Sequence, residues 1–127
     1  MRYGEAAVCA AKLCQDNRHD PVEAWRLAVQ EYIATQSGRV KGCPKGTFLG
    51  LCSRGKILGI NPGNYSRSVD NRDYALTAVK ILQEQSGVCE LSASELWDQV
   101  MTRHNKSIVP NSQMEVVLAL WHEGLIR

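Results

Sequence analysis

The sequence predicts an all-α protein, a compact single-domain bundle of about six helices over residues 1–127. Apolar residues recur along most of the chain at the three- and four-residue spacing of amphipathic helices. Residues typical of helix starts and stops separate these stretches, and no pair of alternating segments indicates a β-hairpin. A chain of 127 residues with 44% hydrophobic residues is long enough and apolar enough to bury a substantial core.

Two helices are predicted in the first third of the chain. The first, Tyr3–Gln15, is rich in alanine, and such small side chains let a neighbouring helix approach closely. The second begins at Asp20, whose carboxylate can accept from the free N–H groups of the first turn, with Pro21 in the first helical position. Glu23 lies three residues after the cap and strengthens this start. The helix is expected to fade by residues 37–38.

A short helix is predicted from Cys43 to a stop at Gly55. Gly46 and Gly50 lie one turn apart inside it, and each costs about 1 kcal/mol of helix stability relative to alanine. The pair therefore indicates close contact, either with another backbone, which is the favoured interpretation, or with a ligand. The following residues, Lys56–Ile60, are too short to assign and can form a buried, strand-like connector.

A turn and three further helices complete the predicted bundle. Residues 61–64 have Pro and Gly where a turn needs a fixed φ and then a positive φ. The next helix runs from its cap at Asp70 to about Gln85, with a glycine stop at position 87. A capping box opens the following helix at Ser92, and the same pattern opens the last one at Ser112. Gly124 then provides a Schellman stop.

The centre of the chain is basic and rich in glycine. Residues 38–69 contain six Lys/Arg, seven of the ten glycines and no Asp or Glu, whereas the rest carries nine Lys/Arg against thirteen Asp/Glu. Cations and free backbone N–H groups are what proteins use to hold anions. Because the net charge is only +2, attraction must be local. The sequence therefore favours binding of a small anionic ligand or an acidic partner.

The first candidate segment is residues 41–47. Cys43 is expected at a helix N-cap between Lys41 and Lys45, where the helix dipole and the two ammonium groups lower the pKa of a thiol. A phosphate or carboxylate would also be held there by free N–H groups and by the Thr47 hydroxyl. The glycine spacing of a Walker loop is absent. A structural cap, an anion site and, least favoured, a nucleophilic Cys43 all stay open.

The second candidate segment follows the predicted turn and contains Asn64, Tyr65 and Arg67. An amide, a phenol and a guanidinium suit recognition of an oxyanion or a sugar, and they equally suit hydrogen bonding within a loop. We expect the two segments to converge on one basic pocket, with Cys43 and Arg67 no more than about 15 Å apart.

Other classes of function have little support in the sequence. The histidines at 19, 104 and 122 are isolated, so no metal and no cofactor is expected. No apolar run reaches the ~20 residues that cross a bilayer, and the odd number of cysteines without an export signal indicates a reduced, cytoplasmic chain. The last two helices could form a helix-turn-helix, but the second lacks the Lys and Arg that contact DNA, so nucleic acid is not expected. No catalytic motif is evident, which leans against an enzyme.

Four segments, residues 3–7, 41–52, 63–68 and 111–121, resemble the signature segments of one protein family. It is a family of small uncharacterised bacterial proteins, a domain of unknown function, some of whose members are carried on mobile gene cassettes. The resemblance spans nearly the whole chain and implies a single-domain bacterial protein of the cytoplasm. It implies no activity.

Three functional hypotheses follow from the sequence. The favoured one is a non-catalytic binding module for an anionic ligand or acidic partner, with these contact residues: Lys41, Cys43, Lys45, Thr47, Asn64, Tyr65 and Arg67. The second is a homo-oligomeric interaction module in which Gly46, Gly50 and exposed apolar side chains form a subunit contact. The third and least favoured is a thiol-dependent enzyme that uses Cys43.

Overall fold

The computed structural model describes residues 2–17, 19–85 and 91–127, and it confirms the all-α prediction. The described residues form six helices of ten or more residues and one single helical turn, in this order: α1 Tyr3–Asn17, α2 Pro21–Tyr32, α3 Gln36–Arg39, α4 Gly42–Ser53, α5 Val69–Glu84, α6 Ala93–His104 and α7 Gln113–His122. The predicted glycine stop at position 87 lies outside the described residues, and the domain limits 1–127 stay a prediction.

The last helix lies at the centre of the bundle. α7 packs against α1, α4, α5 and α6, and its buried side chains join one hydrophobic core. α1 packs against α2 and α7 with four alanines that are fully buried. A Cβ added at Gly4 would lie 2.8 Å from the Cβ of Ala119, so α1 and α7 approach closely. The predicted role of small residues in α1 is therefore confirmed.

Several helix ends are set by the local signals that the sequence contains. Asp20 accepts a hydrogen bond from the N–H of Glu23 at 3.2 Å, and Ser92 with Glu95 forms the complete capping box. Gly124 has a φ of 70°, and the N–H of Leu125 donates to the carbonyl of Leu120, as in a Schellman motif. The predictions of these three boundaries are confirmed.

Two helix starts and one helix end differ from the prediction. α2 ends at Tyr32 because the next residue, Ile33, has an extended backbone (φ −113°, ψ 120°). The Thr35 hydroxyl then accepts from the N–H of Gly38 and starts the separate turn α3. α4 begins at Gly42 with Lys41 as its N-cap residue, so Cys43 is the second helical residue rather than the cap. α5 begins one residue before Asp70, which lies in its first turn.

The turn at 61–64 and the last capping box were also predicted wrongly. Residues 61–68 have no regular secondary structure, and Gly63 is not among the glycines with positive φ. Ser112 adopts a φ of 68° and its side chain accepts no hydrogen bond from the first turn of α7. Instead, the side chain of Gln113 accepts from the N–H of Asn111.

The connector after α4 is an isolated β-bridge rather than a strand of a sheet. Ile57 pairs antiparallel with Ile126, and the N–H of Arg127 donates to the carbonyl of Lys56 at 2.8 Å. Ile57 is fully buried. The segment, which the sequence left unassigned, is thus strand-like and buried at Ile57, whereas Leu58 is 43% exposed.

Candidate functional site

α4 and α5 lie side by side and run in the same direction. A Cβ at Gly46 would lie 2.8 Å from the Cβ of Ser68, and a Cβ at Gly50 would lie 2.7 Å from the Cα of Arg72. Both glycines are thus needed for contact between helices of one chain. The alternative that used Gly46 and Gly50 for a subunit contact is therefore wrong, because neither glycine is exposed.

Polar side chains join the N-terminal ends of three helices. Lys41 donates to the side-chain oxygen of Asn111 at 3.2 Å, and Gln113 accepts from the N–H of Asn111. Gln113 also donates to Asn71 at 3.4 Å, and Asn71 donates to the Ser68 hydroxyl at 2.8 Å. Gln113 is only 3% exposed. This network fixes the starts of α4, α5 and α7 beside one another.

The three helix starts that meet here have N-cap residues whose side chains form no capping hydrogen bond: Lys41, Ser68 and Ser112. The positive ends of three helix dipoles therefore lie close together. Asp70 and Glu115, in the first turns of α5 and α7, offset part of this positive potential. The remaining potential favours an anion.

The α4 N-terminal cluster, which we define as Lys41, Lys45 and Arg67, lies around this network. All three side chains are exposed and form no ion pair with a described residue. Lys45 lies one turn after Lys41, and Arg67 directly precedes Ser68, which contacts Gly46. Helix geometry then places the Cα atoms of Cys43 and Arg67 within roughly 15 Å.

Two other predicted contact residues of this region, Thr47 and Cys43, are wholly or partly buried in the protein. Thr47 is fully buried, and its hydroxyl donates to the carbonyl of Cys43 at 2.9 Å. The hydroxyl is thus satisfied inside the helix. Cys43 is half-buried as the second residue of α4.

Asn64 and Tyr65 lie at the opposite end of α4. The N–H of Tyr65 donates to the hydroxyl of Ser53, the last residue of α4, and the Tyr65 hydroxyl donates to the carbonyl of Asn61. Asn64 is exposed beside it. A helix of 12 residues is about 18 Å long. The seven predicted residues therefore do not form one site, because Arg67 approaches Cys43 while Asn64 and Tyr65 do not.

The basic centre of the sequence is divided in the same way. Gly46, the fifth residue of α4, contacts Ser68, which directly precedes α5. Because α5 starts one turn later and has 16 residues against 12 in α4, its C-terminal half runs past the end of α4. Arg54 and Lys56 follow α4 and line a cavity of about 500 Å³ with Lys80 of α5. We call Arg54, Lys56 and Lys80 the α4 C-terminal cluster. Arg54 and Lys56 belong to the basic centre that the sequence shows, residues 38–69. Lys80 lies outside that segment and joins them only because α5 packs against α4.

Other cavities have lining residues that do not suit an anion. A cavity of about 470 Å³ between α1, α2 and α7 is lined by the carboxylates of Glu5, Asp16 and Glu123 and by one ammonium, that of Lys12. A second cavity, of about 600 Å³, contains Asp20 together with Tyr65 and Cys14. Among the cavities in the described part of the chain that we characterise, none is lined by the α4 N-terminal cluster. That cluster is a surface.

The buried thiols do not form a reactive centre. Cys14 is 8% exposed, and burial, with a smaller contribution from Asp20, raises the pKa of its thiol to about 11. Cys52 is fully buried, and burial likewise raises the pKa of its thiol. Both stay protonated at neutral pH, and a protonated thiol is a poor nucleophile. The interpretation of Cys14 and Cys52 as small core residues is confirmed.

The fold and these surfaces define a small helical protein with two separate groups of cations. The whole chain, residues 1–127, matches the Family of unknown function (DUF6979), and the protein therefore belongs to that family. No curated protein and no solved structure is significantly similar to the chain. In residues 2–17, 19–85 and 91–127, no helix combines the length and the hydrophobicity of a membrane span, and no three His, Cys, Asp or Glu side chains are grouped as metal ligands.

Proposed function

We propose that the protein is a non-catalytic binding module that docks an acidic segment of a partner protein on the α4 N-terminal cluster. One observation carries this proposal. Three exposed cations, Lys41, Lys45 and Arg67, surround a network that joins three helix starts, and no described acidic side chain pairs with them. Positive potential that Asp70 and Glu115 offset only in part favours an anionic partner.

Exposed aliphatic side chains support a protein partner rather than a small molecule. Val40 precedes Lys41 and is 66% exposed, Val69 follows Ser68 and is 52% exposed, and Val109 lies two residues before Asn111 and is 84% exposed. Aliphatic contacts supply buried area in protein interfaces, while surrounding charges select the partner and speed association. A cation-rich surface with no enclosing cavity suits an extended acidic segment.

Self-association through the same valines is the second candidate. Such a contact would place Val40, Val69 and Val109 against a second copy of the chain. Light scattering over a range of concentrations separates the two candidates, because a monomer throughout counts against self-association. Use of Cys43 as a nucleophile is the least favoured function, and it predicts alkylation by iodoacetamide faster than that of an ordinary thiol at pH 6 to 7.

The test of acidic docking uses poly-L-glutamate as the probe and poly-L-lysine as the control probe. Fluorescence anisotropy of the labelled polymers measures binding to the intact protein at low salt. The triple variant Lys41→Gln, Lys45→Gln, Arg67→Gln is expected to bind poly-L-glutamate about tenfold more weakly, because three favourable charge contacts are removed. Added salt should weaken binding by the wild type.

The matched control variant removes the same number of charges at the C-terminal end of α4, where two of them follow α4 and one lies on α5. Arg54→Gln, Lys56→Gln, Lys80→Gln should retain most of the affinity for poly-L-glutamate. Equal losses in both triple variants would mean that only net charge matters, and they would overturn the proposed docking surface. Bacterial origin, cytoplasmic location and carriage on mobile gene cassettes stay predictions from the resemblance of the sequence.

A further inference from the structure

We propose that the cavity at the C-terminal end of α4 binds a small amphipathic anion, meaning a carboxylate or phosphate attached to an apolar body. This inference uses the α4 C-terminal cluster and does not depend on acidic docking at the other end of the helix. The cavity is lined by Arg54, Lys56, Leu76, Val79, Lys80 and Gln83.

The backbone fixes two of the three cations at the cavity. Gly55 has a φ of 68°, and the N–H of Lys56 donates to the carbonyl of Leu51, so a Schellman motif ends α4. This motif places Arg54 and Lys56 on either side of Gly55. The N–H of Arg127 donates to the carbonyl of Lys56, and the side chain of Gln83 in α5 donates to the backbone oxygen of Arg127 at 3.1 Å, so Lys56 is held beside α5.

The lining contains three cations and no carboxylate. Glu84, at the end of α5, pairs with Arg103 at 2.9 Å and does not line the cavity. Cations after a helix C-terminus are favoured by the helix dipole, which accounts for Arg54 and Lys56 without a ligand. It does not account for Lys80, which lies within α5 and adds a third like charge. A bound anion would relieve the repulsion among the three.

The floor of the cavity is apolar. Val79 is 1% exposed, and Leu76 is half-buried against the core. A volume of about 500 Å³ is within the range of cavities that hold small organic ligands. An inorganic anion would contact the cations but leave Leu76, the half-buried residue of this floor, exposed to water. The combination of an apolar floor and a cationic rim therefore favours an anionic group with an apolar body.

The test measures protection of lysines from acetylation by N-hydroxysuccinimidyl acetate, with peptide mass spectrometry of the intact protein. Three probes share one aromatic body: naphthoate, naphthylmethanol and naphthylmethylammonium. Naphthoate is expected to slow acetylation of Lys56 and Lys80 several-fold while Lys41 and Lys45 react unchanged. The alcohol and the ammonium should protect neither pair.

Two variants and a fourth probe, inorganic phosphate, test whether binding occurs at this cavity and whether it needs the apolar body. Lys80→Gln should weaken naphthoate binding, measured by its fluorescence, about two- to fivefold, whereas the matched variant Lys45→Gln should not. The triple variant of the α4 N-terminal cluster should also bind naphthoate normally, which separates this site from acidic docking. Inorganic phosphate should protect Lys56 and Lys80 much less than naphthoate.

Three results would overturn the proposal. One is equal protection by the anionic, neutral and cationic probes, which would mean that charge plays no part. Another is protection by inorganic phosphate as strong as that by naphthoate, which would remove the role of Leu76 and Val79. The third is the absence of any protection of Lys56 and Lys80 at millimolar naphthoate.

Discussion

The two ends of α4 carry similar charges on different surfaces. At the N-terminal end, Lys41, Lys45 and Arg67 surround a hydrogen-bonded network, and no characterised cavity in the described residues includes them. At the C-terminal end, Arg54 and Lys56 line a cavity because α5 extends beyond α4. Charge alone thus does not determine what a surface can bind. The length and register of the neighbouring helix decide whether cations lie on an open surface or line a cavity.

The largest loss of stability is expected at the contact between α4 and α5, which positions the cations at both ends of α4. Gly50→Ala places a Cβ 2.7 Å from the Cα of Arg72, so α4 and α5 must separate. We expect the free energy of unfolding to fall by about 3 kcal/mol, the upper part of the range for overpacking. Urea denaturation measures the change. Gly42→Ala is the control, because a Cβ there meets no atom within 4 Å, and its stability should not fall.

A smaller effect is expected from breaking the network at the N-terminal end alone. Gln113→Leu leaves the N–H of Asn111 and the side chain of Asn71 without their partner. Losing buried hydrogen-bond partners costs about 2 kcal/mol. Thermal and urea unfolding should both report this loss. Gln99→Leu, at an exposed position of α6, provides the comparison. Equal stability of the two variants would contradict the role given to Gln113.

The corresponding change at the C-terminal end is Gly55→Ala. Gly55 has a φ of 68°, which a Cβ disfavours, and we expect a loss of about 1 kcal/mol of stability. Because the Schellman motif positions Arg54 and Lys56, the variant should also weaken naphthoate binding, while poly-L-glutamate binding should stay near the wild-type value. Loss of both kinds of binding would show that the two ends are not independent.

The smallest effect on stability is expected from removing single cations. Lys45→Gln and Arg67→Gln should each change the free energy of unfolding by less than about 0.5 kcal/mol, because exposed charges contribute little. Circular dichroism during heating measures this. If either protein unfolds, the side chain is structural, and the proposed docking surface loses a contact residue.

Local signals in the sequence predicted most of the fold. Asp20, Ser92 and Gly124 set boundaries through contacts within four or five residues, so their patterns are visible in the chain itself. The start at Ser112 could not be predicted in this way, because Gln113 is recruited by Asn111 and by Asn71 from another helix. The single turn α3 is too short to give a periodic pattern.

The candidate site was less predictable than the fold. The basic centre was evident from composition, but its division was not. Residues 61–68 run along α4, so Tyr65 lies beside Ser53 while Arg67 lies near Gly46. Lys80 belongs to the second cluster only through the close approach of α4 and α5 at Gly50. Contacts of this kind depend on tertiary packing, so the spacing of residues within one segment does not predict them.

The pairing of Ile57 with Ile126 has a practical consequence for anyone who produces this protein. Residues 125–127 support the side of the cavity that is lined by Lys56, because the N–H of Arg127 donates to the carbonyl of Lys56. Any change that moves Arg127 away from Lys56 would therefore also disturb the cavity that Lys56 lines. Ligand screens should therefore use protein in which residues 125–127 are unchanged.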